Sequence, residues 1–338
     1  MILNRLVRVG IVFVAAVSVA VIIGESFDSP LVTAWVPSLF AMKANTAYGF
    51  LAAVAGLWIL HACQSGSMWF RVARVLAIIV IVCGGLPLAE DLFGTNLGVD
   101  QLIPVASQHA PGAAYPARMS PGAAFSLLFI GLSLLVLKAR RTKIAAWAHW
   151  LIVPPLLVAT LGVIGYAYGV NVLYSLKSYT AMAALTAGSL LILGLSVLAA
   201  DSAYGFANIA GSDTFGGLVS RRLLPTLPGL LFLLGWACLE GQITGSYDAR
   251  FALALMVLLG ITVCIVAVAS TAITLHSVDL TRKRGETEIL NLNAGLELRV
   301  QERTRELAQV SSQLTLVNTS LEKLSRHDGL TALAAVML

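Results

Sequence analysis

Phe251 to Leu275 reads FALALMVLLGITVCIVAVASTAITL, twenty-five residues with no charged side chain and no proline. A bilayer core is crossed by about 20 apolar residues in a helix, so this stretch is long enough to span one. Directly after it the composition inverts. From Asp279 to Asp328 the chain holds 16 of its 39 charged residues, and no proline occurs between Val278 and Ser325. One stretch therefore closes an apolar body, 1–275, and leads into a charged tail.

Upstream the same apolar signal recurs. The 338 residues are 58% hydrophobic and 12% charged, with a mean hydropathy of +0.86. A soluble fold cannot hide that much apolar surface, so a polytopic membrane protein is expected. Apolar runs fall near 7–24, 45–63, 72–90, 121–138, 145–167, 180–199, 223–240 and 251–275. The expected fold class is an all-α membrane protein, with about eight transmembrane helices followed by a long cytoplasmic coiled-coil signalling helix. No small-x-small cleavage site follows the first run at Gly24-Glu25-Ser26, so that run reads as an uncleaved anchor.

Lys and Arg in alternate connections give the orientation. One side holds thirteen: Arg5, Arg8, Arg71, Arg74, Lys138, Arg140, Arg141, Lys143, Arg221, Arg222, Arg282, Lys283 and Arg284. The other holds four: Lys43, Arg118, Lys177 and Arg250. The basic side is expected to be cytoplasmic, with the chain in a bacterial inner membrane and both termini in the cytoplasm. The basic excess then follows from topology and requires no nucleic-acid partner.

Spans two, four and six begin alike. Met42, Met119 and Met182 each have an alanine five residues on, and Ile130-Gly131-Leu132-Ser133 matches Leu193-Gly194-Leu195-Ser196. This hints at a repeated hairpin. Cys63, Cys83, Cys238 and Cys264 are widely spaced in apolar segments and read as small buried hydrophobes. His61 and His149 have no second ligand at i+3 or i+4, so no metal or haem site is expected. Trp147 and Trp150 fit an interfacial aromatic belt.

Carboxylates near the spans are few. Glu25, Glu90, Asp91 and Glu240 fall at the outer ends of odd-numbered spans, and the loop 92–120 adds Asp100, His109 and Arg118. A carboxylate at the bilayer centre costs about 2.5–3.5 kcal/mol on insertion scales, so interfacial termination explains such placement. The sharper reading is an outward cluster that senses a cation, a proton or a small polar ligand. Its candidates are Glu25, Glu90, Asp91, Asp100, His109 and Glu240.

In the tail a 3-4 spacing runs through Ile289, Asn293, Leu296, Val300, Arg303, Leu307, Val310, Leu314, Val317, Leu321 and Leu324. Nine of these eleven are apolar, the pattern of a coiled-coil seam with two polar interruptions. A parallel homodimer through 289–324 is expected. The competing reading is an amphipathic helix lying on its own membrane domain.

After that helix the chain reads Arg326-His327-Asp328-Gly329-Leu330-Thr331-Ala332-Leu333. Asp328, Leu330, Thr331 and Leu333 resemble the opening of the diguanylate cyclase catalytic domain, the GGDEF family. Ala332 and Ala335 stand where that family has Gly and a guanine-contacting Asn. No Gly-Gly-acid-Glu-Phe turn occurs in the chain. Residues 326–338 therefore look like the truncated start of an output domain, with 276–325 as the linker ahead of it. A shifted reading frame fits, since Ala335–Leu338 can be encoded GCC GTG ATG CTC, which two bases on reads Arg-Asp-Ala.

The apolar body resembles the multi-span input regions that precede bacterial cyclases and histidine kinases. Asp91-Leu92-Phe93-Gly94, Gly98-Val99-Asp100 and Arg118-Met119-Ser120-Pro121 carry this. Ser212-Asp213, Gly216-Gly217-Leu218 and Arg221-Arg222-Leu223-Leu224-Pro225 extend it. The resemblance implies a receptor that relays a stimulus to a cyclase, and no enzyme in this chain as it stands. GTP and Mg are implied only for a complete output domain. The sensor part of a histidine kinase, or a small-molecule transporter, are the alternative readings.

Overall fold

A computed structural model describes residues 2–27, 42–63, 67–95, 98, 118–139, 142–170, 181–200, 208, 211–212 and 214–336. Among these the regular structure is helical. The helices are α1 (Ile2–Phe27), α2 (Ala44–Ala62), α3 (Met68–Phe93), α4 (Pro121–Val136), α5 (Thr142–Leu151), α6 (Val153–Ala167), α7 (Ala184–Ala200), α8 (Phe215–Ile243) and α9 (Ala249–Val336). By length and composition five helical segments can cross a membrane: Arg5–Glu25, Met68–Phe93, Trp147–Ala167, Gly216–Ile243 and Ala249–Ile273. Pro121–Val136 and Ala184–Ala200 are shorter apolar helices. The protein is thus a helical membrane protein. Each apolar run in the sequence is occupied by helix.

Local chemistry sets the boundaries. Ser67 and Ser120 cap α3 and α4 by accepting from the backbone N–H of Phe70 and Ala123, which satisfies donors that a helix start leaves open. α3 ends on Gly94 at φ 63°, a left-handed conformation that glycine adopts without strain. The run at 145–167 is broken at Ile152, just ahead of Pro154 and Pro155. Two adjacent residues without a backbone N–H remove two helical hydrogen bonds, which separates α5 from α6.

The chain divides into two compact units, 1–267 and 268–338. In the first, α2, α4 and α7 pack against one another as an inner trio. Each outer helix lies between two of them: α1 against α2 and α7, α3 against α2 and α4, α6 against α4 and α7. Three hairpins, α1–α2, α3–α4 and α6–α7, therefore repeat around the trio.

The sequence matches mark this repeat. Met42, Met119 and Met182 are buried just before α2, α4 and α7, and Ala47, Ala124 and Ala187 are fully enclosed. The paired Gly-x-Ser pieces have a shared logic. Gly131 meets its own hairpin partner: a Cβ there would lie 2.8 Å from the Ile81 backbone N and 2.9 Å from the Ala77 carbonyl. Gly194 likewise faces Leu156 of α6. Two residues on, Ser133 Oγ donates to the Ala148 carbonyl of α5 at 2.8 Å, and Ser196 packs on Gly10 of α1. So the glycine faces back into its own hairpin and the serine faces a helix outside it, α5 for Ser133 and α1 for Ser196. Small residues allow such close approach, which matters because lipid offers no hydrophobic drive for helix association.

α8 and the apolar part of α9 bury far less, 11% and 6% of their most apolar windows against 28–33% for the three other long spans. In the second unit the helix continues without a break through 276–325 and 326–336. The seam residues Ile289, Leu296, Val300, Leu307, Val310, Leu314, Val317 and Leu321 are all 52–69% exposed.

Candidate functional site

The carboxylates that the sequence singles out fall in the last turns of the outer helices. Glu90 and Asp91 close α3, and Glu25 closes α1. A helix C-terminus carries partial negative charge, so an anion there is disfavoured by about 0.3–1 kcal/mol. Cations sit at the opposite, equally unfavourable ends. Arg118 stands just before the Ser120 cap of α4, and Lys43 is the N-cap residue of α2. Both signs are placed against the helix dipoles, so stabilising a helix end does not explain them.

In the second hairpin the two signs meet directly. Arg118 Nη2 lies 2.9 Å from Glu90 Oε2, and Nη1 donates to Asp91 Oδ1 at 3.0 Å. Glu90 is wholly buried and Arg118 is 5% exposed. Two carboxylates thus share one guanidinium in a site shielded from water, where charge–charge interactions are much stronger than at a surface. In the first hairpin Glu25, also buried, acts electrostatically on Lys43. Burial pushes the Lys43 ammonium below the ordinary lysine value, and the Glu25 carboxylate partly offsets that. The third hairpin is tied at the same level by a neutral bond, Tyr166 Oη donating to the Met182 carbonyl at 2.7 Å.

Of the candidate sensing residues, then, the structure joins Glu90 and Asp91 through Arg118, and brings Glu25 within electrostatic reach of Lys43. Glu240 is exposed near the end of α8, and the described ion pairs do not include it. Asp100 and His109 lie outside the described residues. Sequence reading did not select Arg118 or Lys43 as site residues. A signal was available: only four of seventeen counted loop cations fall on the acid-bearing side, and of those four Arg118 pairs with buried acids while Lys43 lies within electrostatic reach of one.

The basic end of the bundle is built at the other tips of the same helices. Lys138, at φ 56°, donates from Nζ to the Leu60 carbonyl at 2.6 Å. His61 lies within electrostatic reach of Lys138 and Arg8. Trp69, Trp147 and Trp150 are exposed here, as an interfacial belt requires. Among the described residues no group of three His, Cys, Asp or Glu side chains is placed to hold a metal ion. No protein-family model, curated protein or solved structure matches the chain.

The seam is a second candidate interface. Its described positions lie on the exposed α9, with Asn293 and Arg303 as the polar interruptions. Arg303 pairs with Glu306 at 2.9 Å, both well exposed, a geometry worth little in water. The side chains of Leu324 and of the motif residues Asp328, Leu330, Thr331 and Leu333 lie outside the described ones; their backbone is helical.

Proposed function

We propose that this protein is a multi-pass receptor module of a bacterial inner membrane. Eight spans, with both termini in the cytoplasm, sense an outer or membrane stimulus. A parallel homodimer of α9, zipped along 289–324, relays it to a diguanylate cyclase output domain of the GGDEF type, whose opening motif stands at 326–333. The chain as it stands is proposed to be no enzyme and to need no cofactor.

The observation that carries this reading is α9 itself. One unbroken helix begins with a membrane-length apolar window at Ala249–Ile273 and ends, through Val336, in a polar stretch with an exposed apolar seam. A continuous helix transmits rotation or translation, whereas a flexible linker absorbs it. The buried Glu90–Asp91–Arg118 cluster supports an input role, because paired charges in a shielded site respond to ions or protons that compete for the same partners.

The test joins an active cyclase domain in frame after residue 325 and measures cyclic di-GMP in cells. The intact receptor should give output, and Leu307→Glu with Leu314→Glu in the seam should abolish it while the protein stays in the membrane. Equal output from both would sink the relay. Solute flux in proteoliposomes would favour a transporter instead.

A further inference from the structure

At the basic end of the bundle a recess of about 490 Å3 opens between α1, α7 and the start of α8. Its walls are Leu6, Val9 and Phe13 from α1, Ile192 and Leu195 from α7, and Leu224 from α8. From Leu6 to Phe13 the recess runs about 10 Å along α1, at 1.5 Å per residue. Ser196 reaches it too, but its hydroxyl is spent on the Ile192 carbonyl at 2.7 Å. Gly10 sets the floor, since any Cβ there would collide with Ser196 Oγ. The interior is therefore a slot for hydrocarbon.

The rim differs. Ser220 and Arg221 line it from the first turns of α8, followed by Arg222 in sequence. Arg221 Nη2 donates to the Ser212 carbonyl at 3.2 Å, which orients the guanidinium. A guanidinium matches phosphate oxygens bidentately. The same end of the bundle bears Arg8 and Lys138, both acting on His61. An apolar slot about two-thirds as long as a leaflet's hydrocarbon depth, rimmed by arginine at the interface, matches a ligand with an acyl chain and an anionic head.

We propose that this recess binds one anionic phospholipid, with an acyl chain between α1 and α7 and its phosphate at Arg221. Bound there, the lipid fills the space between the closely packed hairpins and α8, which itself buries little. This does not depend on the receptor reading.

The experiment uses the full chain, delipidated in detergent. Native mass spectrometry titrates it with dioleoyl phosphatidylglycerol or with dioleoyl phosphatidylcholine. A basic residue near the surface is worth about fivefold in anionic-lipid binding, so phosphatidylglycerol should be retained at least about fivefold more strongly. Arg221→Gln should remove that preference, Arg221→Lys should keep part of it, and Leu195→Trp should weaken both lipids by filling the slot. Circular dichroism and thermal melting of each variant separate lost binding from lost fold; if Leu195→Trp misfolds, the two Arg221 variants decide. Equal binding of both lipids by the wild type, or an undiminished preference in a folded Arg221→Gln, would overturn the proposal. So would inorganic phosphate displacing the lipid completely, which would mark a phosphate site without a chain slot.

Discussion

The hairpin bundle and the polar part of α9 use the same residue types to opposite ends. In the bundle, Leu127, Leu134, Leu190 and Leu193 are enclosed by neighbouring helices, and the charges of Glu90 and Arg118 are buried against each other. In α9, Leu307, Leu314 and Leu321 face outward, and Arg303 with Glu306 is a surface pair. The bundle closes on itself within one chain. In the proposed dimer the long helix would bury this seam, since a helix in water gains most of its stability from burying an apolar face. The lesson is that the same apolar residue types are enclosed in one region and left exposed in the other.

The sharpest way to break this contrast is Arg118→Met. It leaves two buried carboxylates without their cation, and losing one partner of a buried pair costs about 3–5 kcal/mol. A large drop in melting temperature in nanodiscs is expected, with most of it recovered when Glu90→Gln and Asp91→Asn are added. A loss under about 1 kcal/mol would mean that the cluster behaves like a surface pair. Next comes Gly131→Leu, expected to cost about 3 kcal/mol by forcing α4 off α3. The same change at Gly285, where nothing lies within 4 Å, should leave the melting of the bundle unchanged.

For the exposed seam, Leu314→Ala should weaken the proposed dimer by about 2 kcal/mol, roughly thirtyfold in Kd. Analytical ultracentrifugation across a concentration series would read this, while the melting of the bundle stays unchanged. A bundle that melts lower would show that Leu314 packs within its own chain. A gain is expected from Gly295→Ala, about 0.5–1 kcal/mol of helix stability, seen as a higher midpoint for the helical signal of the tail. The smallest effect belongs to Arg303→Ala, within about 0.5 kcal/mol; a larger loss would mean that this arginine is buried in the dimer.

Much of the fold is legible in the chain. Apolar runs mark every helix of the bundle, though only five helical segments of the protein are long and apolar enough to cross a membrane, and Pro154-Pro155 marks the break at Ile152. The methionines at 42, 119 and 182 and the two Gly-x-Ser pieces at 131–133 and 194–196 point to the hairpin repeat, although only the packing shows why glycine and serine stand two apart. The site is less legible. Glu25, Glu90 and Asp91 stand out because acids are rare there, yet nothing local ties Asp91 to Arg118, 27 residues away. Glu240 has the same local signal and ends up exposed.

By itself, then, the sequence determined the helices, their apolar faces and the 3-4 seam, because these depend on periodicities that act over one or two turns. Only the tertiary structure decided that α2, α4 and α7 form the inner trio, and that each outer helix lies between two of them. It also decided which acids meet which cation. Those choices rest on close approach between segments distant in the chain, where a glycine that admits a backbone, or an arginine that reaches across a hairpin, has no periodic signature.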